Sequence, residues 1–196
     1  MPERRRVFIA LEGLRGCGKS TIAPLLAEEL GAQHVPTIPA EYNQARTFLD
    51  HHSHNIDARA HLFASALLIT AERVHALLDA GTSVVIDSYM QRTVATHRAY
   101  GARIDLTQPE DLPTAITFRL ECSAAVRAIR LRQREKTSTW WDVLADQLAD
   151  RVVNEYSRFP SHQIDTTDQQ PHETTAAIVA VLDQCRRGSD LIPAAE

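Results

Sequence analysis

Short apolar runs alternate with amphipathic stretches along the whole 196-residue chain. Residues 7–11, 84–86 and 115–120 are compact runs bounded by turn or charged residues, the pattern of parallel strands buried on both faces. Residues 161–164 form a weaker run, and residues 33–38 are a poor candidate. Helical periodicity fills the gaps. Residues 21–30 and 57–80 each stop before a glycine, Gly31 and Gly81, suited to a C-terminal cap. Ser123 is placed to cap a helix over 124–134, whose apolar positions are Val126, Ile129 and Leu131. Leu144, Leu148, Val152 and Tyr156 fall four apart and predict one helix over 140–158; a last helix is expected over 174–185. Strands alternating with helices predict βαβ units, hence a three-layer α/β fold with a parallel sheet covered by helices on both faces. No linker or repeat divides the chain, so residues 1–187 are expected as one domain, followed by a flexible tail over 188–196.

Composition narrows this little. Hydrophobic content of 44% and charged content of 23% are ordinary for a globular domain and exclude collagen-like, disordered and coiled-coil classes. The net charge, 21 − 25 = −4, argues against nucleic acid or an anionic membrane as the main partner. Cys17, Cys122 and Cys185 are far apart without metal-like spacing, so reduced thiols in the cytoplasm are expected. Arg4-Arg5-Arg6 before residues 7–11 resembles a signal peptide, but Glu12 ends that run after five residues, and no apolar run approaches the ~20 residues of a membrane span.

The chemistry begins at Gly13-Leu14-Arg15-Gly16-Cys17-Gly18-Lys19-Ser20, a full match to G-x4-G-K-[ST] between an expected strand and an expected helix. Such glycines let successive backbone N–H groups curl around phosphate oxygens at the positive end of a helix dipole. Gly13, Gly16, Cys17, Gly18, Lys19, Ser20 and Thr21 are therefore the expected ATP-binding set. Lys19 would meet the β- and γ-phosphates, and the Ser20 hydroxyl would meet Mg²⁺. A second signal is Asp87, an acid closing the apolar run 84–86, placed to hold Mg²⁺ through water. A third is basic. Residues 119–136 carry six Lys or Arg against two Glu, and Arg127, Arg130, Arg132 and Arg134 lie within eight residues. This predicts a lid near 130–140, with Arg130 and Arg132 over the γ-phosphate. His51-His52-Ser53-His54 reads as a solvated loop, Trp140-Trp141 as a helix start that buries one indole, and Cys17 as an ordinary small residue.

No N/T-K-x-D guanine motif is present, which excludes a typical GTPase switch. The chain resembles the thymidylate kinases of the nucleoside monophosphate kinase group. Residues 8–13 with Gly18-Lys19-Ser20-Thr21 are similar to that family's first strand and P-loop, and Ala71-Glu72-Arg73-Val74-His75 to its Ala-Asp-Arg-x-x-His helix. Residues 81–101 follow its order of glycine, strand, Asp-x-Tyr, helix and Ala-Tyr, while residues 151–156 and Ile164-Asp165 resemble its late helix and last strand. The resemblance implies Mg-ATP as donor, a loop after Asp165 flanking adenine, and Arg130 and Arg132 in the lid.

The departures gather on the acceptor side. Arg15 stands where the family has an acid, and Asp87-Ser88-Tyr89 replaces Asp-Arg-Tyr. Thr37-Ile38-Pro39-Ala40-Glu41-Tyr42 replaces its Arg-Glu-Pro-Gly-Gly loop, and Ile69 its stacking aromatic. The expected activity is therefore γ-phosphoryl transfer to a small acceptor, a nucleoside monophosphate with altered specificity. A nucleoside or other hydroxylated metabolite is an alternative, as is a non-catalytic ATP-binding regulator. Lys19, Asp87, Arg130 and Arg132 are the catalytic candidates. Glu12, Arg15, Arg73, Arg92 and Tyr100 are the acceptor candidates, with Asp87 or Glu12 orienting the reacting group. A homodimer is left open.

Overall fold

A computed structural model describes residues 6–103, 112–134 and 137–189. Five strands, β1 (Phe8–Glu12), β2 (Gln33–Val35), β3 (Val84–Ile86), β4 (Ile116–Glu121) and β5 (His162–Asp165), form one sheet in the order β2-β3-β1-β4-β5. Every pairing is parallel, with Ile9 opposite Val85 on one side and Ile116 on the other. β1 is the middle strand and is buried along its whole length.

The alternation of side chains along β1 divides the core in two. Ile9 and Leu11 join Ile22 and Leu26 of α1 (Lys19–Leu30) and Ile178 and Leu182 of α8 (Pro171–Ser189) on one face. Phe8 and Ala10 meet Leu67, Ala71 and Val74 of α3 (Ile56–Asp79) on the other. Helix α3 is long and apolar enough to cross a membrane. Here it is a core helix, with Ala60, Phe63, Ala66, Leu67, Thr70, Ala71 and Val74 buried.

The three-layer parallel architecture matches the expectation, and both marginal runs become edge strands, β2 and β5. The helices over 21–30 and 57–80 stop where their glycines predict, and the Ser123 hydroxyl accepts from the Val126 N–H at 3.3 Å to cap α5 (Ala124–Arg132). The single helix over 140–158 is corrected. It is two helices, α6 (Trp140–Gln147) and α7 (Ala149–Tyr156), meeting at Leu148, whose φ of −104° and ψ of 16° break the helical course. Four-residue spacing survives such a break, so the pattern could not reveal it. Gly188 and Ser189 belong to α8 rather than to a tail, and residues 190–196 lie outside the described residues.

Two further helices frame the site: α2 (Asn43–His52), which periodicity did not indicate, and α4 (Met90–Tyr100), which the resemblance implied. α4 packs against α7 and α3 through Ala95 and Ala99 beside Val152 and Tyr156, and through Val94 beside Ala60. Of the two indoles, Trp141 is buried and Trp140 is exposed, as the helix-start reading expected.

Candidate active site

β1 delivers the chain at its carboxyl edge into the loop 13–18, and α1 starts at Lys19. The glycines are required by close approach as well as by torsion. A Cβ on Gly13, at φ +127°, would stand 2.2 Å from the Leu120 carbonyl oxygen of β4. A Cβ on Gly16 would meet Leu131 and Arg127 of α5 at 3.1 and 3.2 Å. The loop is therefore pressed between the sheet and the arginine helix. The Lys19 ammonium turns inward and donates to the carbonyls of Gly13 (2.7 Å) and Leu14 (2.8 Å). Burial, then the Arg92 charge, lowers its pKa from 10.5 to about 8 against the pull of Glu12 and Asp87. Ser20 and Thr21 are exposed at the start of α1.

Glu12 is fully buried. Its Oε1 accepts from the Tyr89 N–H (3.0 Å) and its Oε2 from the Arg92 N–H (3.1 Å), and burial raises its pKa from 4.5 to about 7. Both carboxylate oxygens are thus spent on the start of α4. Glu12 thereby ties β1 to the start of the helix that carries Arg92. Ser88 is fully buried as well, so position 88 presents nothing to an acceptor.

Beside the loop lies a cavity of about 460 Å³. Its walls come from the P-loop and from α2 through α7, with Arg15, Arg92, Tyr100 and Arg132 among them. Arg15 reaches across to the start of α6, where it donates to the Asp142 carbonyl at 2.6 Å and lies 3.2 Å from the Asp142 carboxylate. Asp146 is 3.6 Å from Arg15 and 3.9 Å from Arg127, so the P-loop, α5 and α6 share one charge network. Arg92 is half-buried, and among the described residues its guanidinium has no hydrogen-bonding or ionic partner. Its charge is felt at Lys19 on one side and at His97 and Tyr100 on the other.

The lid arginines divide. Arg130 faces the loop after β5, donating to Thr166 Oγ1 at 3.0 Å and to the Thr166 carbonyl at 2.7 Å; Thr166 in turn donates to the Cys17 carbonyl. Arg132, with Arg127 and Arg134, lines the cavity instead. Lys136, counted in the basic segment, lies outside the described residues. Asp87 closes β3 and accepts at Oδ1 from Thr37 Oγ1 at 2.7 Å, while among the described residues its Oδ2 and the Ser20 hydroxyl are without protein partners. A hydroxyl and a carboxylate oxygen are the hard donors that Mg²⁺ takes alongside phosphate and water.

Arg73 is corrected. It is exposed, pairs with Glu41 at 2.8 Å and borders a separate shallow cleft with His34 and Leu77. The α3 face that does reach the cavity carries Arg59 and Phe63. Arg59 pairs with Asp50 of α2 and lies 4.7 Å above the Phe63 ring and 4.6 Å above the Trp141 ring. An aromatic wall is therefore present although Ile69 is not part of it. Arg59, Phe63 and His97 were missed by sequence reasoning; the available signal was the i, i+4 pairing of Arg59 with Phe63 and of Thr93 with His97. The solvated-loop reading of 51–54 is corrected in part: His51 and His52 end α2, where the His52 ring lies 5.5 Å from the Phe48 ring, and only His54 lies past the helix, stacked on Trp140 at 4.5 Å.

A parallel sheet with a glycine loop leaving its middle strand, and an arginine-rich cavity beside that loop, define a P-loop nucleotide kinase fold. An AAA domain family model matches residues 9–141. The chain is 32% identical over 152 residues to the thymidylate kinase of Roseiflexus sp., covering 68% of this chain and 67% of that protein. It is 30% identical over 126 residues to that of Desulfovibrio desulfuricans (59% and 58% covered) and 33% over 108 residues to that of Coprothermobacter proteolyticus (50% and 54%). The chain thus spans little more than half the length of these last two relatives. Among solved structures, a thymidylate kinase from Candida albicans superposes with a TM-score of 0.75 at 14% identity over 93% of both chains. A deoxyadenosine kinase from M. mycoides gives 0.67 at 14% identity over 91% and 100%. The chain belongs to the AAA domain family and, within it, to the thymidylate kinase-like P-loop kinases.

Proposed function

We propose that this protein transfers the γ-phosphoryl group of ATP to a phosphorylated acceptor held in the arginine-lined cavity, with a nucleoside monophosphate as the acceptor class. The observation that carries this is Arg92: a half-buried guanidinium that makes no hydrogen bond or ion pair among the described residues, at the boundary between Lys19 and the cavity. A buried cation is costly unless paired, and a planar guanidinium matches phosphate oxygens in two places at once. Arg92 takes over the phosphate grip that Ser88 cannot supply. Its position is set by Glu12, which ties its backbone to β1.

In this reading, ATP draws Lys19 from the Gly13 and Leu14 carbonyls to the β- and γ-phosphates, which the backbone amides of such a loop cradle. A phosphate oxygen of the acceptor attacks the γ-phosphorus in line as the bond to the β-phosphate oxygen breaks. The transition state is loose, so positioning and charge neutralisation supply the catalysis. Ser20 and Asp87 would hold Mg²⁺, which when bound neutralises charge on the phosphate oxygens. Arg132 approaches the transferring group from the cavity side, and Arg130 secures the Thr166 loop on the donor side. Cytoplasmic residence fits cysteines that form no disulfide among the described residues.

The test is an ADP-release assay across nucleoside monophosphates and their parent nucleosides. Monophosphates should raise ADP release well above the parent nucleosides. Equal stimulation by the nucleosides would overturn the reading in favour of a hydroxyl acceptor.

A further inference from the structure

β2 and β3 leave the sheet side by side. Val35 lies opposite Ile86 in parallel register, and the chain just beyond them carries Thr37 and Asp87. The Thr37 hydroxyl donates to Asp87 Oδ1 at 2.7 Å. Thr37 is itself anchored from two directions. Its carbonyl accepts from Thr70 Oγ1 of α3 at 3.2 Å, and Thr70 is 1% exposed. The next residue, Ile38, packs with Phe63 and Ala66 of the same helix. Two hydrogen bonds therefore run from the buried face of α3, through Thr37, to the carboxylate that closes β3. Thr37 also opens the segment 37–42, in which this chain departs from the thymidylate kinase pattern.

The bond matters for what it leaves over. An aspartate carboxyl turns about a broad, roughly two-fold torsion, so an unheld one presents its oxygens in many orientations. A donor on Oδ1 fixes the plane of the group. Oδ2 has no protein partner among the described residues, and the Asp87 charge is felt at Lys19 of the P-loop. Carboxylates that serve metals are themselves held by outer hydrogen-bond partners, and losing such a partner typically weakens metal binding ~10- to 100-fold.

We propose that Thr37 is a positioning residue for the divalent cation: its hydroxyl sets the Asp87 carboxylate, and Thr70 holds Thr37 in place for that task. This rests on the reading that Ser20 and Asp87 hold Mg²⁺. A hydrogen bond that merely closed the sheet edge would act alike with and without metal, so metal affinity separates the two.

Mn²⁺ is the probe, because its electron paramagnetic resonance signal in solution falls as the ion is bound. It is titrated against the full chain with ADP at saturation, and melting temperatures are taken alongside. Thr37→Val keeps the shape and removes the hydroxyl, and it should weaken Mn²⁺ binding by ~10-fold or more. Thr37→Ser restores a hydroxyl and should return most of that affinity. Thr70→Val leaves Thr37 itself intact and should weaken Mn²⁺ in the same direction by less. In an Asp87→Asn background, Thr37→Val should add little, because the carboxylate it positions is gone. Tight Mn²⁺ binding by Thr37→Val beside weak binding by Asp87→Asn overturns the role of Thr37 and leaves the metal reading intact. Unchanged Mn²⁺ binding by Asp87→Asn overturns both. A matching loss of metal-free ADP affinity in Thr37→Val, measured by calorimetry in chelator, also overturns the role of Thr37, since the substitution would then act on the nucleotide rather than on the metal.

Discussion

The glycine loop and the arginine-lined cavity share a wall, yet they are built in opposite ways. The loop is eight consecutive residues whose work is done by backbone amides and one lysine, and its glycines are demanded by contacts as short as the 2.2 Å that a Gly13 Cβ would make with Leu120. The cavity is assembled from side chains on the P-loop and six helices, held in place by pairs such as Arg59–Asp50 and Arg15–Asp142. A site made of main chain is constrained locally and tolerates little change. A site made of side chains can be re-tuned one residue at a time while the fold stays fixed.

The sharpest test of this division lies in α5, where neighbouring arginines serve different halves. Arg132→Ala should lower turnover severely, by ~10³ or more if it meets the transferring phosphoryl group. Arg130→Ala should leave turnover within a few-fold and raise the KM for ATP, because its guanidinium holds Thr166. Steady-state kinetics of the two variants decide it, and equal effects would break the comparison. Lys19→Ala should cost ~10²–10³ in turnover with an unchanged melting temperature. ATP affinity should also fall as pH rises past about 8, since the free ammonium deprotonates there and phosphate binding needs it charged. A titration of ATP binding between neutral and alkaline pH checks that sign.

The fold was legible because its determinants are short-range. Residues 7–11 announce a buried strand by composition alone, and Gly31, Gly81 and Ser123 mark helix ends by local torsional and capping needs. The break at Leu148 was hidden, because the apolar spacing of four continues across it. In the site, the P-loop was legible for the same local reason, and Arg15, Arg92 and Tyr100 do line the cavity. The placement of Arg73 and Glu12 was not legible, because it depends on which way a side chain faces after packing. Arg73 sits on the α3 face turned away from the cavity, and Glu12 is drawn inward by the free amides that begin α4. His97 belongs to no motif, and its burial beside Phe63 and Tyr100 emerges only in the tertiary structure.

A separate expected effect is on stability. Glu12 has a native pKa of about 7 against 4.5 when unfolded, so the native state holds its proton more tightly. Its contribution is present below pH ~4.5 and lost as pH rises through ~7, a change of about 3 kcal/mol. Glu12→Gln should flatten that slope in denaturant melts across pH 4.5 to 7. An unchanged slope would mean that Glu12 is not the titrating group.

The central claim is that Arg92 holds an acceptor phosphate. Its most direct test is kcat/KM for the best monophosphate and for its parent nucleoside, in the unmodified protein and in Arg92→Ala. The account predicts that the variant loses ~10- to 100-fold on the monophosphate, mostly in KM, while the nucleoside rate and ATP affinity change little. An Arg92→Ala protein that uses the monophosphate as well as the unmodified protein does would contradict it.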